Sequence, residues 1–453
     1  MPRLRWILLL AVVVRGALPL SVLAVHGDPG AFTQPDTGSY VRPAESLVEH
    51  GRFRTSGGSP EIQRTPGYPL LLTLGVLADR VTLVTIAAQV LLSVATVLGV
   101  ALVSRQVAPD SRPARWAATF CALDPLSVMY ASLLVTETLF AAVFVAHLYA
   151  LLRFLQEPRG LARPAVAGGL AAAATFVRPI AYYWPFVAVA VAAWVLRRRG
   201  LRGCAVFLVV AVLPCVLWQV RNGVQTGYYG LSTISAVNLY AYNASGVVAK
   251  NEGISINEAR ARLNARVDAL EEAGELGTRA ARAEYMAREG RRIILDQPLV
   301  YLGVHLRGVF QLFVDPGFTE YLRLYGRPPL GGLAAALDQG VATALPRLWR
   351  EHGWLVLASL AFWAILLAQF SCAAIGGVRV RRIAAAAVLF ATVAYFALLS
   401  GGPAAYSRFR HPLMPAVCVL MGFGVAHLLQ VRVRTEERHP RDRAEGRQEG
   451  ASS

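Results

Sequence analysis

Apolar runs of eighteen residues or more recur along this chain, separated by shorter polar stretches. A run of that length crosses the hydrocarbon of a bilayer as a helix, the form that satisfies its backbone N–H and C=O groups internally. The pattern predicts spans at roughly 6–25, 81–104, 114–132, 133–153, 162–177, 180–197, 203–221, 353–376, 383–400 and 411–430. Residues 298–345 leave two choices. PLVYLGVHLRGVFQLFV is apolar but carries His305 and Arg307, and GGLAAALDQGVATAL is short and contains Asp338. They form either two short spans or two helices lying along the membrane, and both choices keep the same parity. The expected fold class is an all-α polytopic integral membrane protein of about 10–12 transmembrane helices.

Two polar interruptions are too long for simple turns, 26–67 and 222–297. Within the second, Ser255-Ile256-Asn257-Glu258 is a capping-box pattern, and Leu263, Val267 and Leu270 follow at helical spacing. A second helix is expected from Thr278 to Leu295, ahead of Pro298. Residues 1–430 then form one membrane domain. The polar tail, 431–453, contains Pro and Gly and is expected to be a disordered cytoplasmic extension.

Composition supports this class: 55% of residues are hydrophobic and 16% charged, where a soluble domain is nearer about a quarter charged. The net charge of +17 does not point to nucleic acid, because the basic residues sit in short clusters between apolar runs. Arg105, Arg112 and Arg115, then Arg153, Arg159 and Arg163, then Arg197 to Arg199 and Arg202, then Arg379, Arg381 and Arg382 all fall on one side of the membrane. The positive-inside rule makes that side, and both termini, cytoplasmic. The first span, though preceded by a basic start, contains Arg15 and lacks a clear small-residue cleavage site, so it reads as an uncleaved anchor. The five cysteines lie inside apolar runs, which excludes a disulfide framework and metal-type spacing. Abundant Ala, Gly and Val, with arginine almost replacing lysine, suggests a GC-rich bacterial genome and hence the bacterial inner membrane.

Against that charge bias, Arg64, Arg178, Arg221, Arg408 and Arg410 fall at the outer ends of apolar runs. Arginine at membrane depth is costly without a partner and marks function. Few acids share that level: Glu61, Glu137, and the first-loop acids Asp28, Asp36 and Glu45. An external anion would complete the set, and the guanidinium fork suits phosphate. For each arginine alone, snorkelling to the headgroups is the plain alternative. Asp36 precedes a helical pattern running through Ala44 and Leu47, so helix capping competes with a chemical role. Tyr40 and Tyr68 either line the site or pack the core. Glu137 either pairs with an arginine or faces the cavity, and Asp28 reads as solvated loop.

These residues carry a resemblance. PDTGSYVRPAESLVEHGRF followed by QRTPGYPLLL resembles the first extracytoplasmic loop of the GT-C glycosyltransferases. The likeness is to the bacterial branch that includes the lipid A aminoarabinose transferase and relatives of the protein O-mannosyltransferases. LDPLSVMYASLLVTETLF, FVRPIAYY, LWQVRN and YSRFRHPLMP agree with it, and the likeness runs from residue 1 to about 430. It implies a GT-C fold with helical extracytoplasmic loops, a polyprenyl-phosphate-linked sugar donor, and transfer at the extracytoplasmic face; the expected reaction is an inverting transfer to an acceptor hydroxyl. It also implies that Asp36 acts near the acceptor and that Arg64 is among the basic residues holding the lipid phosphate; of the other outer arginines, Arg408 and Arg410 rank next for that role, then Arg221 and Arg178. Some relatives place an acid just before that first arginine to help bind a metal. Here the position is Gln63, so no cofactor is expected and a divalent metal is doubtful. The alternative is a lipid or glycan transporter or flippase without transferase activity. Against it, the chain shows no internal repeat, and its unusual charges gather at one face.

Overall fold

A computed structural model describes residues 2–326 and 341–449, and these are built of helices. In chain order the first ten are α1 (Pro2–His26), α2 (Thr37–His50), α3 (Gly67–Leu77), α4 (Val81–Val107), α5 (Ser111–Leu123), α6 (Pro125–Tyr130), α7 (Glu137–Gln156), α8 (Ala162–Val177), α9 (Trp184–Leu196) and α10 (Leu201–Thr226). Among the described residues, six stretches are long and apolar enough to cross a membrane. They are Arg3–His26, Val81–Val107, Glu137–Gln156, Pro179–Thr226, Val356–Val380 and Ser407–Val431, with shorter apolar helices at Gly67–Leu77, Ala162–Val177, Pro298–Val314 and Ala384–Leu399. The protein is a multi-pass membrane protein.

The bundle buries its helices unequally. In the apolar windows of these spans, 78% of Ser407–Val431 is buried but only 11% of Val356–Val380, so the C-terminal span forms the core and the other lies at the periphery. Large side chains such as Trp6, Leu91, Leu213 and Leu367 stay exposed. Lipid tails are as apolar as leucine, so an outer helix face needs no polar stripe. Helices approach closely where side chains are small. A Cβ on Gly376 would strike the Leu420 carbonyl, and one on Gly424 the Cys372 carbonyl.

Three features depart from the sequence pattern. The span expected at 114–132 is broken into α5 and α6 at Asp124, whose backbone is extended (ψ 115°) and whose side chain caps Ser127 N. The following Pro125 disfavours helical geometry at that residue. Buried Arg15 from α1 donates to Ser93 Oγ and to the carbonyls of Cys121 and Ala122, closing the end of α5. The short helix α3 has no counterpart among the predicted spans. Lastly, the helix Met414–Glu449 continues through the polar stretch where disorder was expected, a stretch rich in the good helix formers Arg and Glu. Of the ambiguous region, Pro298–Val314 is a helix, while 331–340 lie outside the described residues.

The polar interruptions fold as helices. Asp28, expected in solvated loop, is exposed and caps a short turn through Gly30 N. In the second region, Ser255 accepts from Glu258 N and Thr278 from Ala281 N, starting the helices Ile256–Glu272 and Arg279–Asp296. These enclose a small core of their own that includes Tyr240, Leu263, Val267 and Met286.

Candidate active site

The site begins with helix α2. Its first turn follows Asp36, yet the Asp36 side chain makes no capping hydrogen bond. The carboxylate turns instead toward two arginines. Arg64 Nη2 lies 3.1 Å from Oδ1 and Arg408 Nη1 3.6 Å from Oδ2. Its side chain remains 43% exposed, so an incoming group can reach it. Arg64 is committed along the whole first turn. Its Nε donates to Ser39 Oγ (2.9 Å), its Nη1 to Tyr40 Oη (2.9 Å) and its Nη2 to Asp36 (3.1 Å). The guanidinium also sits over the Tyr40 ring, 4.3 Å from its centroid. Burial pushes the Tyr40 phenol above its ordinary pKa, so its oxygen stays a neutral acceptor.

The backbone around Arg64 is held as firmly. Glu61, buried, accepts from the N–H groups of Gln63 and Arg64. Ser232 Oγ donates to the Gln63 carbonyl, and Thr233 N to that of Ile62, which ties the first loop to the region after α10. The RTPGYP string then has a steric reason. A Cβ on Gly67 would lie 2.7 Å from the backbone of Phe176 and Val177, so only glycine lets α3 start against the end of α8. The next residue after that end is Arg178.

Arg178 belongs to a second layer. Glu137, the first residue of α7, is completely buried, and its Oε1 accepts from Arg178 Nη1 (2.9 Å) and Arg408 Nε (2.5 Å). Arg408 therefore bridges the layers, facing Glu137 with one nitrogen and Asp36 with another. With Arg64, Arg178 and Arg408 against Asp36 and Glu137, the cluster carries three positive and two negative charges, a net +1. Arg178 and Arg408 retain N–H groups beyond these contacts, which a further anion could engage. The donor set does not suit a divalent cation: both carboxylates are ion-paired to arginine, and Glu61 caps backbone.

Arg221 and Arg410 are placed elsewhere. Arg221 donates to the carbonyls of Glu61 and Phe53 at the two ends of a small hairpin, and stacks over Trp218 at 4.8 Å. Arg410, 1% exposed, donates to the carbonyls of Leu312 and Asp315. Both Arg408 and Arg410 lie in a 3₁₀ segment, Ser407–Leu413. With three residues per turn, positions two apart cannot share a face. Replacing Arg410 by Ala is expected to lower the unfolding temperature while leaving the donor concentration needed for half-maximal turnover unchanged; a large rise in that concentration would put Arg410 back in the site. Tyr68 is fully buried, donates to Gln89 Oε1 and packs edge-on against Tyr40 at 5.2 Å, so it supports the site from behind.

Sequence reasoning missed Ser39 and Asp315. Asp315 accepts from Ser407 N and Gly317 N and so sets the segment that carries Arg408. The Asp315-Pro316-Gly317 turn signal was the available clue.

No protein-family model matches the chain, and no curated protein matches its sequence. Its shape does match solved structures. The archaeal oligosaccharyltransferase AglB from Archaeoglobus fulgidus, in complex with an inhibitory peptide and a dolichol-phosphate, aligns with a TM-score of 0.52 at 14% identity, over 96% of this chain and 51% of that one. An Archaeoglobus fulgidus oligosaccharyltransferase in the apo form aligns with a TM-score of 0.54, again at 14% identity, over 96% of this chain and 51% of that one. The chain shares the membrane fold of these archaeal chains. It spans about half the length of those archaeal chains. ArnT from Cupriavidus metallidurans bound to undecaprenyl phosphate aligns more loosely, with a TM-score of 0.41 and 15% identity over 91% of this chain and 77% of its own.

Proposed function

We propose that this protein is a membrane glycosyltransferase that moves a sugar from a polyprenyl-phosphate-linked donor to a hydroxyl of a lipid, glycan or protein acceptor. Transfer occurs with inversion, at the extracytoplasmic face of the bacterial inner membrane, with both termini cytoplasmic. The observation that carries this reading is the half-exposed Asp36 carboxylate held between Arg64 and Arg408, beside the Glu137–Arg178 pair, in a GT-C fold. The archaeal enzyme of that fold was solved with a dolichol-phosphate, which supports a polyprenyl phosphate as the carrier here.

The roles follow from geometry and charge. The acceptor O–H gives its proton to an Asp36 oxygen as the acceptor oxygen bonds to the anomeric carbon. The bond from that carbon to the phosphate oxygen breaks, and its electron pair stays on the phosphate. Spare N–H groups of Arg178 and Arg408 meet the growing negative charge, and fixed donors of this kind stabilise a transition state without reorganising. Arg64 positions Asp36 and adds charge to the same wall. Glu137 has no exposure, so it touches neither substrate and orients Arg178 and Arg408.

The test is incubation of the purified protein with labelled polyprenyl monophosphate sugars, scoring free lipid phosphate and sugar on an acceptor. Movement of intact donor across vesicles with no cleavage would favour the flippase instead. Arg64→Ala is expected to reduce turnover by about tenfold or more, because Asp36 loses its nearest guide. A rise in the required donor with unchanged turnover would make Arg64 a phosphate clamp rather than a positioning residue.

A further inference from the structure

A second basic site lies far from Asp36, and none of the chemistry above uses it. The C-terminal helix starts at Met414, next to the Arg408 segment. His427 lies thirteen residues further on, about 20 Å along the axis at the α-helical rise. There His427 and the end of the helix Val341–Val380 line an open depression of about 590 Å³. One wall is apolar: Ala374, Ile375 and Val378. The other is basic: Arg379, Arg381 and Arg382.

Three properties make this a built pocket. Next to it the two helices pack backbone to backbone at Gly376 and Gly424, which fixes their separation. Its three arginines are exposed, and among the described residues no acidic side chain pairs with them. Its apolar wall is the last stretch of the apolar segment Val356–Val380, so the guanidinium groups stand where the chain leaves the hydrocarbon. A ligand that satisfies both walls has an anionic head and an apolar tail. Basic pockets between transmembrane helices bind anionic headgroups in this way, and the volume lies in the range of small-ligand sites.

We propose that this pocket binds the phosphate of an anionic phospholipid, with the head between Arg379, Arg381 and Arg382 and the start of an acyl chain along Ile375 and Val378. The arginines supply forked donors to the phosphate oxygens, and the lipid neutralises charge that no acidic side chain among the described residues pairs. The inference stands apart from the transferase reading, since it concerns other residues at a separate place in the bundle.

The experiment is native mass spectrometry of the full chain in detergent, with phosphatidylglycerol, phosphatidylcholine or inorganic phosphate added, alongside thermal unfolding. Phosphatidylglycerol is expected to bind with a saturable single-site component and to raise the unfolding temperature. Phosphatidylcholine and inorganic phosphate at the same concentration should do neither. R379Q/R381Q/R382Q is expected to weaken that component by about tenfold or more. Because loss of three charges could disturb insertion, V378W provides a second arm: it blocks the apolar wall, leaves every arginine in place and should weaken binding as well. R197Q/R198Q/R199Q, which removes three arginines from another exposed turn, should leave binding intact. Equal loss in that control would reduce the effect to general surface charge and overturn the proposal. So would unchanged binding in V378W, equal binding of phosphatidylcholine, or an equal shift with inorganic phosphate.

Discussion

Asp36→Asn is expected to lower the turnover of sugar transfer by about 10²–10⁴-fold, the usual contribution of a positioned general base. The substitution keeps the shape of the side chain and its ability to accept from Arg64. It removes the capacity to take a proton from the acceptor hydroxyl. Folding should survive, since the Asp36 side chain is 43% exposed and caps no backbone group. Donor affinity should stay level or improve, because removing one carboxylate makes the arginine cluster more positive toward a phosphate. Steady-state rates with purified protein, measured across donor and acceptor concentrations, separate these effects. Turnover close to that of the unaltered protein would show that Asp36 only bridges Arg64 and Arg408, and the proton would need another acceptor.

The second large effect is expected at Glu137. Its carboxylate is fully buried between Arg178 and Arg408, and removing one partner from a buried ion pair costs about 3–5 kcal/mol. Glu137→Gln keeps the volume but leaves two guanidinium groups without their counter-charge. Thermal unfolding in detergent should drop clearly, and transfer should fall because Arg408 is no longer aimed between Glu137 and Asp36. The double variant E137Q/R178Q tests the physical cause. Removing one of the two stranded cations should restore part of the lost stability but not the transfer, a non-additivity that a double-mutant cycle measures. If E137Q unfolds at the original temperature, Glu137 does not hold the two arginines together.

Much of this was legible in the residues. Apolar runs predict the spans, and arginine at the ends of apolar runs is costly enough to mark Arg64, Arg178 and Arg408 without any coordinates. Periodicity and turn chemistry also place α2 and the two helices after α10. Which arginines act together was not legible. Arg221 and Arg410 satisfy the same sequence criterion, yet their donors go to the carbonyls of Phe53, Glu61, Leu312 and Asp315. Nothing in a linear string distinguishes an arginine that holds backbone from one that faces a ligand. The competing role for Asp36 was likewise open, since a helix does begin there, and only the fold shows that its side chain turns to Arg64 instead of capping that helix.

Local composition sets the class: a bundle of membrane helices, basic clusters between its apolar runs, and an acidic and basic first loop. Those are properties of local composition, because a bilayer demands long apolar segments wherever they fall in the fold. Only the folded chain brings the residues of the proposed site together. Asp36, Arg64, Glu137, Arg178 and Arg408 come from five separate stretches of chain. Their meeting depends on a glycine that lets α3 touch α8, on an Asp315 turn that sets a 3₁₀ segment, and on that segment's three-residue period. Convergence of this kind is a matter of packing and helix phase, which exist only once the chain has folded.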